Sequence, residues 1–147
     1  MKRIPLIILL ISHLLFLNCG GSSSSGSSSG ADDNDTPDSI KFVAVGQLGT
    51  IITSTDGSSW ETQTSGTSTE LFDVKYINNN FYAVGRSGLL LKSTDGESWE
   101  SISTGTSANL IGIFHANNLF VIVGGNETPG GYSMILTSSD TNSWNKI

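Results

Sequence analysis

One unit recurs along this chain at a step of 39 residues, and that recurrence narrows the folds open to it. Phe42 is followed by Phe81 and Phe120, and Trp60 by Trp99. Residues 42–80 and 81–119 align without a gap, with 18 of 39 positions identical. The third copy keeps Phe120-Val-Ile-Val-Gly124, but Trp144 arrives 45 residues after Trp99, because six residues are inserted between Gly125 and Ser133. A period of this size marks one supersecondary unit that cannot bury its own apolar face and stacks on its neighbours.

Within the unit, short apolar runs alternate with turn residues, the pattern of antiparallel strands. Leu71–Ile77 alternates and stops at Asn78-Asn-Asn80. Phe81–Gly85 follows, and Arg86-Ser-Gly88 turns the chain into Leu89–Ser93. Asp95-Gly96 makes the next turn, since Gly tolerates positive φ and Asp bonds nearby amides. Trp99–Ser103 is the fourth strand, and no segment carries helical apolar spacing. Four antiparallel strands in about 40 residues describe one propeller blade. The expected fold is all-β: β-propeller blades of four antiparallel strands, about three of them, forming an incomplete or partial propeller over residues 40–147 (about 40–80, 81–119 and 120–147).

Ser54-Thr-Asp56-Gly57-Ser-Ser-Trp60, Ser93-Thr-Asp95-Gly96-Glu-Ser-Trp99 and Ser138-Ser-Asp140-Thr-Asn-Ser-Trp144 stand at matching places in the three copies. These hairpins resemble the Asp-box, or BNR, repeats of sialidases, sortilin-like receptors and photosystem II assembly factors. With the surrounding Phe-x-x-Val-Gly-x-x-Gly, the last of these is the nearest in pattern. Here Trp lies four residues after Asp rather than the usual five, and Thr141 replaces the turn glycine. The resemblance implies that the boxes are structural. A physical reading agrees: each Asp caps backbone donors in its turn, and each Trp buries a large apolar area while its indole N–H finds a partner. An active site normally occurs once, whereas these groups occur in every copy.

The chain ahead of the repeats reads differently. Lys2 and Arg3 precede the apolar run Leu6–Leu17, the layout of a secretory signal peptide and short for a membrane span. The run ends at Phe16-Leu-Asn-Cys19, and Cys19 is the only cysteine. This resembles the lipobox of bacterial lipoproteins, which implies lipidation at Cys19, export, and anchoring to the outer membrane or cell surface. The bland alternative is an ordinary signal peptide with an incidental cysteine. Residues 20–39 begin as Gly and Ser and continue as Ala31-Asp-Asn-rich acidic sequence, a flexible, solvated tether. After residue 19, five cations face thirteen carboxylates, a formal charge of −8. Nothing basic is left to grip nucleic acid, so no nucleic-acid partner is expected.

The sialidase resemblance raises an enzymatic alternative. Sialidases grip a substrate carboxylate with an arginine cluster, and Arg86 is the only arginine after residue 19. One chain cannot build that clamp. The alternative is a carbohydrate-active enzyme formed only on oligomeric assembly. No paired carboxylates stand out, and His115 matches Tyr76 in the repeat and reads as a half-buried strand residue. Neither a metal site nor a cofactor is expected. The second hairpins and the connections between blades share one end of a propeller, where ligands commonly bind. There the candidate ligand face comprises Arg86, Asn126, Glu127 and Tyr132, the last three in or beside the insert that breaks the repeat.

The count of units is the final constraint. The first copy starts at Ile40 with no counterpart of Leu71–Ile77, and the third stops three residues after Trp144. Exposed strand edges and an apolar face are therefore expected at both ends of the stack, a state that favours association. A truncated gene product, a homo-oligomer and a free-standing arc are the three readings. The expected function is a non-enzymatic exported lipoprotein, held to the membrane through its N-terminal lipid. It would present propeller repeats as a binding or scaffolding module for an unknown protein or glycan.

Overall fold

The structure is a computed structural model that describes residues 41–126 and 132–147. The expected signal peptide, Cys19, the expected tether and Glu127 lie outside these. The described chain is all-β, in three antiparallel sheets. The first comprises β1 (Phe42–Val45), β2 (Ile51–Ser54) and β3 (Glu61–Gln63). The second comprises β4 (Leu71–Ile77), β5 (Asn80–Gly85), β6 (Leu90–Ser93) and β7 (Glu100–Ile102). The third comprises β8 (Asn109–Ala116), β9 (Leu119–Gly125), β10 (Ser133–Ser138) and β11 (Asn145–Lys146). Within each sheet, strands lie side by side in sequence order.

The turns follow from their residues. Asn78-Asn79 and Asn117-Asn118 each close a two-residue hairpin with both φ values positive, 49° and 60°, and 50° and 57°. Two positive φ angles match the right-handed twist of the flanking strands, and Asn adopts them more readily than most residues. The next hairpin bends through short 3-10 turns, Gln47–Gly49 and Arg86–Gly88. Glycine is needed at the end of each. Gly49 and Gly88 have φ of 68° and 77°, and a methyl group on either would strike the carbonyl of Thr67 or Thr106.

The sheets stack face to face through two apolar clusters. Val43, Val45 and Ile51 of the first sheet pack with Leu71, Val74, Ala83, Leu91 and Trp99 of the second. The opposite face of the second sheet, with Tyr82, Val84 and Leu90, packs on Leu110, Ile113, Phe120, Ile122, Leu136 and Trp144 of the third. A sheet covered on both sides reads as a continuous apolar run rather than an alternating one. This explains Phe81-Tyr-Ala-Val-Gly85, every residue of which is buried. Complete burial of a side chain such as Leu90 or Ile113 stabilises by about 2–3 kcal/mol each.

β4 and β8 each carry a bulge, at Phe72 and Ile111. Because β4 is bulged, Leu71 turns toward the first sheet and Asp73 toward the third, and both are buried. The four-strand unit expected from the repeat is complete in the second and third sheets. Among the described residues the first sheet has three strands, and the three sheets do not close into a ring.

Candidate functional site

The three Ser-x-Asp-x-x-x-Trp turns fold alike. Ser54 Oγ donates to Asp56 Oδ1 at 3.0 Å and accepts the backbone N–H of Asp56 and Gly57. Asp56 Oδ1 in turn accepts the N–H of Ser58 and Ser59 at 2.7 and 2.8 Å. The indole of Trp60 donates to the carbonyl of Gly57 at 3.2 Å. Ser93, Asp95 and Trp99 repeat every one of these bonds, as do Ser138, Asp140 and Trp144. The serine uses its one proton and both lone pairs, so it has no capacity left for a substrate.

Thr141 adopts φ 66° where Gly57 and Gly96 have 74° and 76°, so the third turn keeps its shape without glycine.

The bonds to backbone N–H groups act on the carboxylates. The amides of Ser59 and then Ser58 hold the Asp56 carboxyl down at about 2. Asp95 is lowered by the amides of Ser98 and Glu97, and Asp140 by those of Asn142 and Ser143. A carboxylate held ionised by fixed donors is a poor general acid or base near neutral pH. The boxes are therefore turn-forming devices.

The candidate ligand face divides into two groups. Arg86 Nη2 donates to Glu70 Oε2 at 3.0 Å, its backbone N–H meets the Glu70 carbonyl, and Asn109 Oδ1 accepts the N–H of Ser87. The Arg86 side chain stays half exposed. Beside it runs an open groove of about 550 Å³, lined in part by Thr69, Gly88, Ser101, Thr104 and Thr106. Asn126 and Tyr132 belong instead to the hairpin joining β9 and β10, where the Asn126 N–H meets the Tyr132 carbonyl. Tyr132 lies 4.4 Å beneath the Lys146 ammonium. Among the described residues no hydrogen bond, ion pair or cation–π contact joins Tyr132 to Arg86. His115 is half-buried in β8, its ring 4.6 Å from that of Phe120.

One polar group escaped the sequence reading. Asp73 is 5% exposed, and its Oδ2 accepts the N–H of Ile113 from the neighbouring sheet at 3.1 Å. Its Oδ1 takes the Lys75 ammonium at 2.7 Å. The sequence signal was present: an acid interrupts an otherwise apolar strand where the aligned residue of the next copy is Gly112. The pair stands next to an open recess of about 420 Å³ between β4 and β8, lined by Lys75, Tyr76, Ile113, Phe114 and His115. Asp73 satisfies a backbone donor, which makes it a tie between sheets. Among the described residues no cluster of three acidic, histidine or cysteine side chains could hold a metal ion.

Compared with models of known protein families and with curated proteins, the chain matches none.

Proposed function

We propose that the chain is a non-enzymatic exported lipoprotein whose Asp-box repeats form propeller blades and present a binding or scaffolding surface. The observation that carries this reading is the threefold identity of the boxes. Their serines, aspartates and tryptophans are consumed by their own turns, and that leaves no repeated set of reactive groups. The groove beside Arg86 is the surface with the chemistry of recognition. It offers a half-exposed guanidinium and the exposed residues Ser101 and Ser103, groups suited to a polar glycan or peptide.

Lipidation and recognition are tested separately. Fatty acid supplied to cells expressing the full chain labels the protein, and Cys19→Ala abolishes the label. Arrayed glycans and peptides are captured by the purified chain, and Arg86→Ala weakens capture at least tenfold. Hydrolysis of a sialoside by the purified chain overturns the non-enzymatic reading.

A further inference from the structure

Among the described residues the stack has two end faces, and each corresponds to one half of an interface already formed inside the chain. On the third sheet, the face turned away from the second sheet carries Phe114, Val121, Val123, Ile135 and Ile147. Four of these are strongly exposed: Phe114 54%, Val123 36%, Ile135 41% and Ile147 77%. Aligned by the repeat, Val121, Val123 and Ile135 stand where Tyr82, Val84 and Leu90 stand in the second sheet. Those three residues of the second sheet are buried against the third. At the other end, Phe42, Ala44, Ile52 and Trp60 stand where Phe81, Ala83, Leu91 and Trp99 stand. Ala83, Leu91 and Trp99 are packed against the first sheet, whereas Trp60 is 40% exposed.

A finer match selects what covers these faces. In the first sheet, Val43 and Thr53 are cross-strand partners. A Cβ on Gly96 of the next Asp box would lie 3.3 Å from the Val43 methyl and 3.5 Å from that of Thr53, so the pair closes over the glycine. In the second sheet the aligned pair is Tyr82 and Lys92. There the next box carries Thr141 instead of glycine, and both Tyr82 and Thr141 are buried. The third sheet returns to the first pattern, with Val121 and Thr137 as cross-strand partners. A Val–Thr pair fits a glycine box, and the glycine box left exposed is Gly57 at the far end of the same chain. A Cβ there would meet only Phe42 of its own sheet, at 3.9 Å.

We propose that these two end faces dock on each other between copies of this chain, the third sheet of one copy packing on the first sheet of the next. Val121 and Thr137 then close over Gly57 as Val43 and Thr53 close over Gly96. Such a contact joins two different surfaces, so it closes a ring or runs on as a filament. The contact rests on the interfaces inside the chain. The number of copies rests on the propeller reading, because two copies bring six sheets, within the range of about four to eight blades in closed propellers.

The test is complementation between full-length chains carrying two different tags. Wild-type chains co-purify. Ile52→Asp destroys the first-sheet face and Ile135→Asp the third-sheet face, so two tagged copies of either variant alone lose co-purification. Ile52→Asp mixed with Ile135→Asp recovers it, because one intact face of each kind remains. Val121→Tyr serves as a second third-sheet variant. Tyr82 shows that the fold accepts tyrosine at that place, while the ring would collide with Gly57 and its neighbours. It too fails alone and is rescued by Ile52→Asp. Wild-type chains that do not co-purify, variants that still self-associate, or a mixture that stays separate overturn the proposal. With the contact established, a native mass of two chains supports the ring, and longer polymers overturn it.

Discussion

At the scale of single residues, the boxes make a pH prediction whose sign is fixed by the direction of the shifts. Asp56, Asp95 and Asp140 all have folded-state carboxyls lowered by backbone donors, Asp56 to about 2. An unfolded aspartate titrates near 3.9, so between these limits the unfolded chain binds more protons than the folded one. The stabilisation is fully present above pH ~4 and is lost as pH falls toward about 2. Thermal melting from pH 6 to 2 shows a drop in midpoint confined to that window, and Asp→Asn replacement in all three boxes flattens it. Ser93 carries more of the turn than its size implies, because it accepts two backbone N–H groups and is 3% exposed. Ser93→Ala is expected to cost about 1–3 kcal/mol in chemical denaturation, the range for a buried donor left without its acceptor. Asp73→Ala removes the acceptor of the Ile113 N–H and the partner of Lys75 together. Its expected cost is larger, about 3–5 kcal/mol. Asp56, Asp95 and Asp140 were readable as turn acids because they recur with Ser, Gly and Trp around them. Asp73 was visible only as an acid within a strand, which gives no hint of the Ile113 backbone donor that the neighbouring sheet brings to it.

At the scale of elements, the hairpins were the most legible part of the chain. Asn-Asn at the tips of β4–β5 and β8–β9 both predicts and produces two positive φ angles. A β-branched residue at such a position costs about 1–3 kcal/mol, so Asn118→Val should lower stability by that amount and Asn118→Gly should not. Urea titration of the two variants distinguishes them. The strands themselves were placed to within a residue or two. Leu89–Ser93 was read as a strand and Leu90–Ser93 forms one; Trp99–Ser103 was read and Glu100–Ile102 forms. Leu89 and Trp99 drop out because each is engaged locally, Leu89 in closing the Arg86 turn and Trp99 in bonding the carbonyl of Gly96. The bulges at Phe72 and Ile111 left no trace in the hydrophobic pattern. Phe72 and Ile111 are themselves bulky and apolar, and a bulge turns its two neighbours to opposite faces without changing the character of any of them.

At the scale of the whole molecule, the second sheet is the centre of the structure, apolar on both faces and shared by both clusters. Tyr82 spans one of those interfaces, its ring 5.2 Å from Phe120, and burial raises its hydroxyl above the usual tyrosine range. Tyr82→Ala is expected to cost about 3–5 kcal/mol, as for other large aromatic truncations in a core, and to loosen the third sheet first. Hydrogen exchange should show protection lost in β8 and β9 before β1 and β2. The 39-residue step determined, without any coordinates, that the chain is built of repeated antiparallel units and where their turns fall. These properties depend on residues close in sequence and on a period that survives divergence. The tertiary structure alone decided which face of each sheet meets which neighbour, that Asp73 ties two sheets together, and that Val43 and Thr53 of the first sheet close over Gly96 of the second. Such matches join residues tens of positions apart, and only packing brings them within van der Waals distance.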